Sequence, residues 1–87
     1  MRFELDLRNM PRERVLGYLV EAGGVRRSPA EALQVDGPNW SAWLDPQPTI
    51  YLSVIRIDRD LLIIEGDDEA ATRIHNVMRL NTMRGGG

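Results

Sequence analysis

Residues 46–60 read PQPTIYLSVIRIDRD, and the way this stretch divides into elements decides the fold. In an extended chain Ile50, Leu52 and Val54 fall on one face, whereas Ile55 and Ile57 have the opposite parity. A bulge near Val54 or Ile55 would reconcile the two sets, as would a strand that is apolar on both faces. Pro46-Gln47-Pro48 on one side is breaker chemistry, and Asp58-Arg59-Asp60 on the other is turn chemistry. The spacing therefore predicts a strand from Ile50 to Ile57, with separate strands before and after it.

Upstream, Trp40, Ala42 and Leu44 alternate with Ser41, Trp43 and Asp45. The turn residues Asp36-Gly37-Pro38-Asn39 join that strand to a short one at Leu33 to Val35. Downstream, Leu61 to Glu65 reads as a strand, and Gly66-Asp67-Asp68-Glu69 opens a helix with Ala70, Ile74, Val77 and Met78 as its core stripe. At the other end of the chain, alternation in FELDL predicts a first strand from Arg2 to Leu7. Asn9 then caps a helix with Pro11 in its first turn, Val15, Leu16, Leu19 and Ala22 on its apolar face, and Gly23-Gly24 as its stop. Ser28-Pro29-Ala30-Glu31 reads as a capping box for one short turn. The resulting order, β-α-β-β-β-β-α, predicts a single two-layer α+β domain over residues 1–87, with 85–87 a glycine tail. Its antiparallel sheet of four or five strands carries both helices on one face. In element order alone this resembles one half of the TATA-binding protein, a likeness without functional implication.

Eighty-seven residues make one modest core, since a chain of this size buries only about 60–65% of its unfolded surface. With 43% hydrophobic and 28% charged residues and a net charge of −2, the chain has the composition of a globular protein with no general attraction for polyanions, so nucleic acid is not an expected partner. Glu4 and Asp6 stand where a secretory signal needs an apolar run, and Leu61 to Ile64 is too short to cross a bilayer. A cytoplasmic protein without a membrane partner is expected. The absence of cysteine excludes disulfides, thiolate nucleophiles and thiolate metal sites. All 11 basic residues are arginine, as the codon usage of a GC-rich genome would give. Lysine chemistry, from Schiff bases to a phosphate-loop lysine, is thereby excluded.

Trp40 and Trp43, three apart in a strand, must point to opposite faces. One can enter the core. The other, with Tyr51, Ile55 and Ile57, is the expected partner-binding set on the face without helices. The leading expectation is accordingly a non-enzymatic interaction or assembly module, a homo-oligomer such as a homodimer, anchored by those residues. His75 is the single histidine, and no nucleophile motif accompanies it, so neither catalysis nor a cofactor is expected. Asp58, Asp60, Asp67, Asp68 and Glu69 match no cation-binding loop pattern and suit a strand turn and a helix start, so no metal is expected. Arg26 and Arg27, were they to converge with Arg73 and Arg84, would form a phosphate-binding patch.

The chain closes with NTMRGGG over residues 81–87. Glycine after a helix is a common C-cap, and Arg84 suits the negative end of the helix dipole. The same residues resemble the C-terminus of the ubiquitin-like sulfur carriers. That resemblance implies a second function: Gly86 and Gly87 would enter an adenylating partner enzyme, and the terminal carboxylate would become a thiocarboxylate.

Overall fold

The strand that begins at Trp40 does not stop at Pro46. In the computed structural model, which describes residues 1–29 and 32–85, the elements run β1 (Arg2–Arg8), α1 (Arg12–Glu21), β2 (Val25–Arg26), β3 (Gln34–Gly37), β4 (Trp40–Leu52), β5 (Ile55–Gly66) and α2 (Asp68–Gly85). The element order is the expected one, but its middle is partitioned differently. The two strands expected on either side of the prolines are one, β4, and the two expected on either side of Asp58-Arg59-Asp60 are also one, β5. The count is restored by β2, whose two residues are too few to leave a sequence signal and form only because β3 offers them an edge.

Physical reasons for both mergers lie in the ladder. Leu44 donates its N–H to the carbonyl of Leu33, on the β3 side. Because bonding direction alternates along a strand, Pro46 also faces that side. β3 pairs with β4 only from Gln34↔Trp43 to Gly37↔Trp40, so Pro46 lies beyond its reach and lacks an N–H only where none is needed. Asp60, in turn, is not at a turn. It pairs with both Leu7 and Pro46 and is buried. Arg12 at the start of α1 holds both of its oxygens, with Nε at 3.1 and 3.2 Å and one terminal nitrogen at 2.9 Å. A carboxylate can occupy an inward strand position when a guanidinium meets it there.

The actual turn is Ser53-Val54, with Ser53 at φ 59°, the positive value that the primed two-residue turns have at their first central residue. It accounts for the change of parity between Leu52 and Ile55. Across a two-residue turn those residues are partners, as are Ile50 and Ile57, so all four share one face. A bulge does exist, but between Gln47 and Ile50. At the other hairpin Pro38 and Asn39 form the expected turn, with Asn39 at φ 65°.

The sheet is antiparallel throughout, in the order β1-β5-β4-β3-β2. Leu7, Val35, Trp40, Ala42, Leu44, Leu62 and Ile64 form its inward row. Val15, Leu16 and Leu19 of α1 and Ala71, Ile74 and Met78 of α2 close over that row. Both helices therefore cover the same face, and the α2 stripe is one residue off the expected Ala70. Burying a side chain of this size stabilises the fold by about 1.5–3 kcal/mol. Trp40 sits against Gly37 so closely that an added Cβ would overlap its indole ring. Asn9 does not cap α1. Its N–H donates to the carbonyl of Asp58 at 2.8 Å and its Oδ1 accepts from the N–H of Asp58 at 2.9 Å, closing the end of the β1–β5 ladder, and α1 starts at Pro11 without a side-chain cap. The capping box at Ser28 to Glu31 lies partly outside the described residues.

Candidate functional site

β1 ends opposite Arg59, and β3 ends opposite Trp43. Residues 47–58 of the β4–β5 hairpin thus extend past both neighbours, by roughly 15 Å at ~3.4 Å per residue. The molecule measures 43 × 27 × 20 Å, and this arm is the reason for its long dimension. The arm has two unlike faces. On the face continuous with the helix-free side of the sheet lie Ile50, Leu52, Ile55 and Ile57, the expected apolar pairs of a ladder whose register is Ile50↔Ile57 and Leu52↔Ile55. Leu52 and Ile55 are more than half exposed, and Val54 at the tip is almost fully so. The other face is polar. There Arg56 donates to Asp58 at 2.9 Å, which pushes the guanidinium pKa upward. A cleft of about 380 Å³ separates this polar side from the α1 start and is lined by Arg12, Gln47, Thr49, Arg56, Asp58 and Asp60, among others.

Of the expected partner-binding residues, Trp43, Ile55 and Ile57 lie on the helix-free side. Trp43 is half-buried there opposite Ile63, several rows from the arm. Tyr51 is exposed but pairs with Arg56 on the polar face, because the extra residue between Gln47 and Ile50 reverses the parity of β4. Ile50 and Leu52 complete the apolar face in its place. The signal that could have found them is the parity change itself, read as a turn.

The expected arginine patch is not brought together as free cations. Arg26 is held by Glu13, at 3.0 Å for one of its two bonds, and Arg27 by Asp36 at 3.0 Å, while Arg73 donates to the carbonyl of Ala22 at 3.3 Å. The Arg26 bond holds the Glu13 carboxyl below its usual range. Asp36 is likewise held low, first by the Ser41 hydroxyl and Gln34 amide and then by Arg27. Arg84 is helical, and nothing further is described of its side chain. His75 lies flat on Phe3, with ring centroids 4.1 Å apart and planes 10° apart, a packing position. Among the described residues no group of acidic or histidine side chains is arranged to hold a metal ion, and no helix is long and apolar enough to cross a membrane.

Helix α2 carries the chain to Gly85, and Gly86 and Gly87 lie outside the described residues. Comparison with curated proteins found no match. A protein-family model described as archaeal MoaD-like protein matches residues 3–87, nearly the whole chain, and so spans the arm, both helices and the closing glycines. The chain belongs to the archaeal MoaD-like protein family.

Proposed function

We propose that the chain is a small, non-enzymatic, cytoplasmic carrier of the ubiquitin-like kind, which docks on a partner enzyme and offers it a C-terminal glycine carboxylate. The observation that carries this reading is the family match, which runs on through the glycine sequence Gly85-Gly86-Gly87. Glycine suits the chemistry because an unbranched residue can thread a narrow site that any Cβ would block. In the partner's site the carboxylate of a chain ending at Gly87 would displace pyrophosphate from ATP. Hydrosulfide would then attack the acyl-adenylate carbonyl and displace AMP, forming the C–S bond as the C–O bond to phosphate breaks and leaving a thiocarboxylate. The arm supplies the docking face: Ile50, Leu52, Ile55 and Ile57 form an apolar surface that contributes nothing to the core, the kind of surface on which association energy concentrates.

The composition makes the test unusually clean. There is no cysteine in the chain, so a thiol-reactive label such as iodoacetamide has no side-chain thiol to modify. Protein recovered from its own cells, labelled and analysed by intact mass and C-terminal peptide mapping should carry the label on the glycine terminus. An unlabelled glycine carboxylate under conditions where the partner is active, or a native chain that continues beyond Gly87, would sink the reading.

Assembly is the second reading, and the same apolar face favours it: two copies could cover one another's arms. Light scattering on the purified chain separates the two. A dimer that Ile55→Asp dissociates supports assembly, whereas a monomer leaves the face to a different protein.

A further inference from the structure

Among the described residues β1 is an edge strand with no neighbour on its outer side. Hydrogen bonds at its two ends fix its phase: the N–H of Gly66 donates to the carbonyl of Met1 at 3.1 Å, and that of Asn9 to Asp58 at 2.8 Å. Bonded and non-bonded pairs alternate in an antiparallel ladder, so Phe3, Leu5 and Leu7 also face β5, and Arg2, Glu4, Asp6 and Arg8 turn their peptide groups to the open side. An edge of this length without proline is a template for another strand. The rest of the sheet is less receptive, because β2 has two residues and the open side of β4 begins with Pro46.

The inward row is also unfinished at this edge. On the interior strands Ala42, Leu44, Leu62 and Ile64 are at most 4% exposed, whereas Phe3 and Leu5 of the same row are only half-buried. Beside them runs a cleft of about 360 Å³, lined by Leu5, Leu7 and Met10 on one wall and by Arg79, Thr82 and Met83 of α2 on the other. α2 flanks the strand along its length: Thr72 touches Met1, and His75 stacks on Phe3. A strand added to β1 would bond to four outward peptide groups while its alternate side chains filled this cleft.

We propose that the β1 edge and the cleft between β1 and α2 form a second docking site, which takes an extended segment of a partner protein as an added strand. Charge selects the occupant. Two copies of β1 paired antiparallel about Leu5 would set Arg2 against Arg8 and Glu4 against Asp6, like against like, which destabilises the pairing. A segment with basic residues at its two central outward positions, acids at the two flanking ones and β-branched residues inward is complementary at every row. The site lies on the opposite flank from the helix-free face of the arm and does not depend on the carrier reading.

The test uses the full chain, ¹⁵N-labelled, with the capped peptide Glu-Val-Lys-Val-Lys-Val-Glu, whose symmetric sequence fits in either direction, and its charge-exchanged counterpart Lys-Val-Glu-Val-Glu-Val-Lys. The first peptide should slow amide exchange at Arg2, Glu4, Asp6 and Arg8 and shift the resonances of Arg79, Thr82 and Met83. The second should bind ~10-fold or more weakly, a difference of about 1.4 kcal/mol. Met83→Asp, at an exposed position, should weaken the first peptide while leaving the unfolding midpoint unchanged. Three results would overturn the proposal: no protection of the four amides at millimolar peptide, equal binding of the two peptides, or protection in the free chain that grows with protein concentration and so places a second copy on the edge.

Discussion

The two halves of the β4–β5 hairpin share one ladder yet live in different surroundings. In the half nearest the helices, Leu44 and Leu62 face each other beneath α1 and α2 with 4% and 0% exposure. In the arm, Leu52 and Ile55 face each other in the same way with 57% and 58% exposure. Composition does not separate the halves, because both are rich in β-branched and aliphatic residues. What separates them is the length of their neighbours: β1 and β3 stop, and the helices with them, while the hairpin continues. Apolar residues in the first half are the core. Those in the second are exposed and make no contribution to it, which is the argument that they serve an encounter with something else.

Truncations should break the symmetry of the pair most strongly. Leu62→Ala is expected to cost ~2–5 kcal/mol in urea denaturation, and Leu52→Ala no more than ~0.5 kcal/mol. Comparable losses would mean that the arm is folded against something in the monomer. The ion pairs should divide in the same way. Arg12→Met strands the buried carboxylate of Asp60 and should cost about 1–3 kcal/mol, whereas Arg56→Met beside exposed Asp58 should leave the denaturation midpoint where it is in the parent.

A smaller effect concerns pH. Asp36, in the body, has its carboxyl lowered by Ser41, Gln34 and Arg27. A depressed folded-state pKa contributes stability that is fully present above the ordinary carboxylate range and is lost as pH falls through the folded value. Asp36→Asn should therefore flatten the acid limb of the stability curve, with the loss of stability largest at neutral pH and smallest below the folded-state value, as acid denaturation followed in parallel for parent and variant would show. At the arm tip, Ser53→Gly should stabilise by only about 0.5 kcal/mol, because Ser53 holds a positive φ that glycine adopts freely.

Much of the body was legible in sequence because each residue there answers to one local rule. FELDL alternates and forms β1, Val15, Leu16 and Leu19 recur at helical spacing and are buried, and Pro38-Asn39 forms its turn. The arm was misread where a local rule was outvoted by a distant partner. Pro46 is a breaker only if its N–H is wanted, and Asp60 is a turn residue only if no arginine arrives, 48 positions away in sequence, to meet it. The change of parity between Leu52 and Ile55 did mark a special point, but a bulge and a two-residue turn produce the same change, and only the pairing distinguishes them. Tyr51 was placed on the wrong side of the arm for the same reason. The β1 edge left no signal at all, since an edge is defined by what fails to pair with it.

The most direct test of the carrier account joins the arm to the tail. The parent chain and Ile55→Asp should be expressed in the native cells, shown to unfold at the same denaturant concentration, and labelled with iodoacetamide. The account predicts a labelled glycine terminus on the parent and none on the variant, since a folded chain that cannot dock is not presented to the activating enzyme. Equal labelling of both would show that the arm has no part in delivering the glycines, and the central claim would be contradicted.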